Sequence, residues 1–154
     1  ETLDLVRRAE RLAQILQTRP PEFVICHSDV HAGNILIDTK DALYIVDWDN
    51  PILAPKERDL MFIAGAQGFV GCTAQEEETL FYRGYGQTQI NPSALAYYRY
   101  ERIIEDIAAF CQFIFFTSAG GEDREQSLNY LMSNFLPGNT IEIAYKSDET
   151  MKAR

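Results

Sequence analysis

Two apolar runs, NILID over residues 34–38 and LYIVD over residues 43–47, are separated only by TKDA, whose polar residues suit a turn. This spacing predicts a small β-hairpin, and a hairpin returns its last residue to the level of its first. Asn34 and Asp47 therefore meet at one end of one ribbon. FVIC, residues 23–26, reads as a further short, buried strand.

Elsewhere the pattern is helical. Leu5, Ala9, Leu12 and Leu16 share one face over residues 2–18, with Arg7, Arg8, Glu10 and Arg11 mostly opposite, until Pro20 and Pro21 end the helix. KERDLMFIAGA, residues 56–66, predicts the next helix, after Pro51 and Pro55. Thr73 and Glu76 match the S/T-x-x-E capping box, so the acidic triplet Glu76, Glu77 and Glu78 marks a helix start rather than a metal site. Asn91 and Pro92 supply an N-cap and a first-turn proline for a long helix over residues 92–116, in which Tyr98, Ile104, Ile107 and Cys111 are expected to face the core. EDREQSLNYLMSNF predicts a last helix, stopped by Pro137 and Gly138, with MKAR fraying at the end. The expectation is an α+β fold, mainly helical, forming one unit over residues 1–154.

A chain of 154 residues with 46% hydrophobic content can bury a core. Its 14 Lys and Arg against 23 Asp and Glu give a net charge of −9, which argues against a nucleic-acid partner and favours cationic ones. No uncharged apolar run reaches the roughly 18 residues of a membrane span, and the first residues lack the features of a signal peptide. Cys26, Cys72 and Cys111 have no C-x-x-C spacing, so the simplest location is a reducing cytoplasm. Beginning on Glu1 rather than Met, the chain is expected to be part of a longer one.

The chemistry concentrates between residues 27 and 59. His27-Ser28-Asp29 followed by Asn34 matches H-x-D-x-x-x-x-N, the catalytic-loop pattern of kinases, and Asp47 lies 13 residues beyond Asn34. Phosphoryl transfer needs magnesium on the phosphates, held by hard oxygen ligands, and a carboxylate beside the attacking hydroxyl. HSDVHAGNILID, IVDWD and ERDL together resemble the aminoglycoside phosphotransferase family, the small-molecule branch of the kinase-like fold. Within it, CHSDVHAGN, DWDNPILAPKERDLMFIAG and YYRYERIIEDIA most resemble the spectinomycin branch. The resemblance implies the C-terminal lobe of that fold, with Asp29 as the catalytic carboxylate and Asn34 and Asp47 as Mg2+ ligands. It further implies that Asp59 hydrogen-bonds the catalytic-loop backbone. His27 is expected to brace the loop, and Asp49 is a candidate second metal contact or a solvated carboxylate.

Two departures from protein kinases bear on the substrate. His31 stands where a lysine is usual, and Trp48-Asp49 replaces the Phe-Gly of D-F-G. Asp59 follows Asp47 by only 12 positions, too few for an activation loop and peptide platform, so a small acceptor is expected. On the helix after Pro92, Glu101 and Glu105 share a face, with Tyr97 one turn before Glu101; they are candidate contacts for a cationic, hydroxylated acceptor. The alternative for that face is a solvated surface with pairs such as Arg102 with Asp106.

A glycine-rich lid and a strand lysine paired with a helix glutamate are not found. Gly65-x-x-Gly68-x-x-Gly71 lacks the G-x-G-x-x-G spacing and reads as loop or helix-end glycine. The resemblance thus implies ATP as donor, an N-terminal kinase lobe as the missing partner, and an isolated chain with little or no activity. Rival readings are a choline-, ethanolamine- or methylthioribose-type kinase, or a non-catalytic domain that kept the fold.

Overall fold

In the computed structural model, which describes residues 2–65, 73–118 and 120–152, the chain is arranged around one long helix. The elements follow in the order α1 (Thr2–Thr18), β1 (Val24–Cys26), β2 (Ile35–Ile37), β3 (Leu43–Ile45), β4 (Ile52–Ala54), α2 (Glu57–Leu60), α3 (Ala74–Tyr85), α4 (Pro92–Phe116), α5 (Glu122–Ser133) and α6 (Thr140–Lys152). Asn91 caps α4 by accepting from the Ser93 and Ala94 amides, and Pro92 opens the first turn. The capping box at α3 is likewise formed, Thr73 and Glu76 each accepting from the other's backbone.

Helix α4 packs against α1, α2, α5 and α6. Ala96, Tyr100, Ile103 and Ile107 recur along it at helical spacing and bury against Leu5 and Leu12 of α1 and Ile141 and Ala144 of α6. Each large apolar side chain so buried contributes about 1.5–3 kcal/mol relative to exposure. Ile104 and Cys111 flank this core as expected, whereas Tyr98 turns away from it and lies half-buried under the Arg58 guanidinium, 5.8 Å from its ring centre.

An ionic clasp joins the first helix to the last. Arg8 Nη1 (3.0 Å) and Arg11 Nη2 (2.5 Å) both reach the fully buried carboxylate of Asp148, to which the Tyr100 hydroxyl also donates at 3.3 Å. Asp148→Ala removes the carboxylate shared by both arginines, leaving Arg8 with Asp4 and the Tyr145 ring. Because Arg8 and Arg11 remain 26% and 41% exposed, the expected loss is about 2–4 kcal/mol, somewhat below that for a fully buried pair. Denaturant unfolding reads it; a midpoint equal to wild type would refute it.

The strands form two separate antiparallel pairs. β2 and β3 make the hairpin, Ile35 opposite Ile45 and Ile37 opposite Leu43. β1 pairs with β4, Val24 opposite Ala54 and Cys26 opposite Ile52. Sequence did not anticipate β4, a three-residue strand between two prolines. Nor are the strands buried as their composition implied: of β1 only Cys26 is inside, and Ile25, Leu36, Ile37, Leu43 and Leu53 are exposed.

Two helical expectations also change. The helix expected over 56–66 stops at Leu60, after which Ile63 and Gly65 donate to the carbonyls of Leu60 and Phe62, three residues back. The Arg99 guanidinium takes the Met61 and Ile63 carbonyls at 3.3 and 2.7 Å, so they are satisfied without a helix. A Cβ on Gly65 would lie 2.6 Å from the Met61 carbonyl, which requires glycine in this turn; Gly68 and Gly71 lie outside the described residues. The helix ending near Pro137 is not the last. α6 follows it and continues through Met151 and Lys152, while Ala153 and Arg154 lie outside the described residues.

Candidate active site

Asp59, in the turn of α2, anchors the loop that follows β1. Its Oδ2 accepts from the His27 amide at 2.9 Å and its Oδ1 from the Ser28 amide at 2.7 Å. Ser28 is held there at φ +72°, a conformation unfavourable for a residue with a Cβ, and its hydroxyl donates to the Asn50 carbonyl at 2.9 Å. The loop is thus fixed from both sides, and Asp29 leaves it in one direction.

His27, 3% exposed, ties this loop to the hairpin. Its Nε2 lies 2.8 Å from the Val46 carbonyl, which can only accept, so Nε2 carries the hydrogen and Nδ1 accepts from the Asp29 amide at 3.3 Å. Trp48 closes against the ring edge-on, centroids 4.6 Å apart. A short 3-10 turn over Ala32–Asn34, capped by the His31 ring on the Gly33 amide, brings Asn34 round. A Cβ on Gly33 would meet His31 Cε1 at 2.7 Å, so a larger residue there would push the His31 ring from its cap.

Asn34 Nδ2 donates to the Asp29 carbonyl at 2.9 Å. The amide is therefore oriented, and its oxygen is left for another partner. The Val46 amide donates to the Asn34 carbonyl at 3.0 Å and extends the ladder by one residue, so Asp47 emerges beside Asn34 at the same end of the ribbon. Asp47 is exposed and adopts φ +66°; Asp49, two residues on, is exposed as well.

Two oxygens from this chain suit magnesium, which keeps several waters and takes its remaining ligands from phosphates. The residues present fit the ion.

Helix α4 supplies the far wall. Arg102 Nη1 lies 2.6 Å from Asp29 Oδ1, and His31 Nε2 stands 3.6 Å from Asp29 Oδ2. Tyr97 donates to Glu101 at 2.7 Å, and burial followed by that carboxylate pushes the phenol well above its ordinary value, so it remains a donor. Glu101 lies 3.9 Å from Arg58 Nε. Glu105 has an exposed position, yet desolvation by its neighbours and then the charge of Glu101 hold it above the ordinary carboxylate range. Asp106 is also pushed up by burial, against the opposing pull of Arg102. The structure thus groups Tyr97, Glu101 and Glu105 on α4, and reaches Asp29 from that helix through Arg102. Clefts of about 430 Å³ at Glu57 and Asn91 and 440 Å³ at Tyr82 and Gly86 lie elsewhere; Asp29 stands on an open surface, its side chain 38% exposed.

The family described as APH, phosphotransferase enzyme family, matches residues 1–97, well over half the chain and all of the 27–59 constellation. The chain belongs to this phosphotransferase family. No curated protein is similar enough to count as a match. Among solved structures, spectinomycin phosphotransferase APH(9)-Ia in complex with ADP and spectinomycin is 41% identical, covering 96% of this chain and 44% of that one with a TM-score of 0.79. The AMP-bound complex of the same enzyme is 42% identical over 94% of this chain and 44% of that one, with a TM-score of 0.75. The chain spans less than half the length of these phosphotransferase structures.

Sequence reasoning had paired Arg102 only with Asp106 along the helix. That pair is present at 2.9 Å, but the contact of Arg102 with Asp29 crosses 73 residues, and no local pattern signals it. Glu101, Arg102 and Glu105 all lie beyond the stretch matched by the phosphotransferase family.

Proposed function

We propose that this chain is the C-terminal catalytic lobe of an ATP-dependent O-phosphotransferase whose acceptor is a hydroxyl of an aminoglycoside or aminocyclitol, spectinomycin being the foremost candidate. The observation that carries this reading is the convergence of Asp29, Asn34 and Asp47 at one end of a clamped hairpin, in a chain 41% identical to a phosphotransferase solved with ADP and spectinomycin.

Asp29 accepts the hydrogen bond of the acceptor hydroxyl and takes its proton as the oxygen attacks the γ-phosphorus, while the bond to the ADP oxygen breaks and ADP departs. Asn34 Oδ1 and the Asp47 carboxylate would hold Mg2+, and Asp49, within the same exposed end, would offer a second contact. When bound, the ion offsets charge on the transferred phosphoryl group. Positioning and electrostatics then carry most of the rate. Glu101 and Glu105 receive the cationic and hydroxyl groups of the acceptor, and Tyr97 lends an aromatic face.

The open surface at Asp29 and the exposed apolar ribbons fit a partner of the N-terminal-lobe kind, supplied by a longer parent chain; without it the 154 residues are expected to be inactive. Burial pushes the Cys26 thiol up to about 11, and its hydrogen bonds to the Ala54 and Pro55 carbonyls keep it an inert core thiol with no part in the transfer.

Mass spectrometry of spectinomycin incubated with ATP, Mg2+ and the full-length parent tests this reading. A phosphate-sized gain is expected. Its absence with spectinomycin and other aminocyclitols would overturn it, and a gain on small amino alcohols alone would favour the choline-type kinase instead.

A further inference from the structure

Arg102 comes to the catalytic loop from α4 and stands between two carboxylates. Its Nη1 is 2.6 Å from Asp29 Oδ1 and its Nε 2.9 Å from Asp106 Oδ1, with the guanidinium carbon 5.6 Å from the Phe62 ring centre. Asp106 holds the cation from its own helix, and the short contact to Asp29 ties the guanidinium to the catalytic loop.

We infer that Arg102 is a positioning residue of the transfer: it holds Asp29 through Oδ1, so that Oδ2 is the oxygen presented to the acceptor hydroxyl. The inference rests on the reading of Asp29 as the catalytic carboxylate. Carboxylate torsions are broad and roughly two-fold, so a half-exposed aspartate on a loop has no preferred face of its own. The other neighbour of Asp29, His31, stands at 3.6 Å, beyond hydrogen-bond distance. In a loose phosphoryl-transfer transition state the base need not be strong but must be in place, which makes the orientation of this carboxylate consequential.

Arg102 is suited to the task. Burial works against its charge, but Asp106 and Asp29 outweigh that and hold it above the ordinary arginine value, so the cation persists. It is not a member of the apolar core formed by Ala96, Tyr100, Ile103 and Ile107 of the same helix. Its removal is therefore expected to spare the fold.

The test is steady-state kinetics of the full-length parent as wild type, Arg102→Ala and Arg102→Lys, with acceptor and ATP each varied and thermal midpoints measured alongside. Arg102→Ala is expected to lower kcat by about 10- to 100-fold, the scale of losses from misplaced reacting groups. Both KM values and the midpoint should stay near wild type. Guanidinium ion, added below its denaturing range, should restore part of the lost turnover by refilling the site. Arg102→Lys should fall between, since one ammonium keeps the charge but cannot span both carboxylates.

Any other pattern overturns the inference. Unchanged kcat would mean that Asp29 needs no tether, and raised kcat would make the contact an inhibitory latch. A rise in acceptor KM alone would make Arg102 a binding group, and a loss that guanidinium does not repair, or that comes with a lower midpoint, would make it structural. A wild-type parent that phosphorylates no alcohol would remove the functional reading and this inference together, whereas an active wild type with an unaffected Arg102→Ala removes the inference alone.

Discussion

In the full-length parent, Asp29→Ala lowers kcat by on the order of 10²- to 10⁴-fold, the range over which a positioned acid or base contributes, and leaves the fold in place. The second half of that statement follows from where Asp29 sits. Its side chain is 38% exposed, and the loop is held through the amides of His27 and Ser28 rather than through the Asp29 carboxylate. Alanine also releases Arg102, so Asp29→Asn is the informative companion: it keeps an oxygen for the guanidinium while removing the charge that receives the hydroxyl proton. Both variants should lose turnover while still binding nucleotide. Turnover equal to wild type in either would sink the assignment of Asp29.

Asp59→Ala has a second large effect, by another route. The carboxylate receives two consecutive backbone amides at 2.9 and 2.7 Å, in a segment where His27 and Ser28 are 3% and 9% exposed. Hydrogen bonds to charged groups are worth roughly 1.5–3 kcal/mol each, and buried donors left without acceptors add to the loss. Ser28 at φ +72° also stores strain of order 1–3 kcal/mol, tolerated only while its surroundings enforce it. With relief of that strain offsetting part of the loss, the expected result is a destabilisation of about 2–4 kcal/mol in denaturant unfolding, together with a loss of activity comparable to that of Asp29→Ala. Asp59→Asn should be intermediate, because one amide then faces an NH₂ group instead of an oxygen. Unfolding midpoint and kcat both equal to wild type in Asp59→Ala would show that the loop is held by something else.

The parts of the molecule legible in sequence are those whose cause is local. The hairpin follows from two apolar runs and a four-residue turn, α3 from the Thr73–Glu76 box, and α4 from Asn91 and Pro92. What escaped the reading depends on partners far along the chain. β4 exists because Ile52–Ala54 finds β1, whose residues precede it by roughly thirty positions, and three residues between prolines carry no signal alone. α2 stops early because Arg99, on another helix, takes the carbonyls of Met61 and Ile63. α6 was hidden by Asp148, which completes the buried stripe of Ile141 and Ala144 but reads as a surface residue until its two arginines are seen. At the site, the motif positions Asp29, Asn34, Asp47 and Asp59 were visible as spacing, whereas the meeting of Arg102 with Asp29 required the packing of α4.

The clasp on Asp148 has a consequence for biosynthesis. Arg8 and Arg11 precede the carboxylate they share by 140 and 137 residues. A ribosome releases the arginines early and the aspartate among the last of these residues, and chains of this size expose apolar surface until distant segments arrive. Until Asp148 is made, Arg8 has only Asp4 of its own helix, Arg11 lacks this carboxylate, and α4 lacks the apolar cover of α6, the kind of surface that chaperones and proteases act on. A message truncated ahead of the codon for Asp148 would therefore yield chains cleared by quality control rather than shortened enzyme with partial activity.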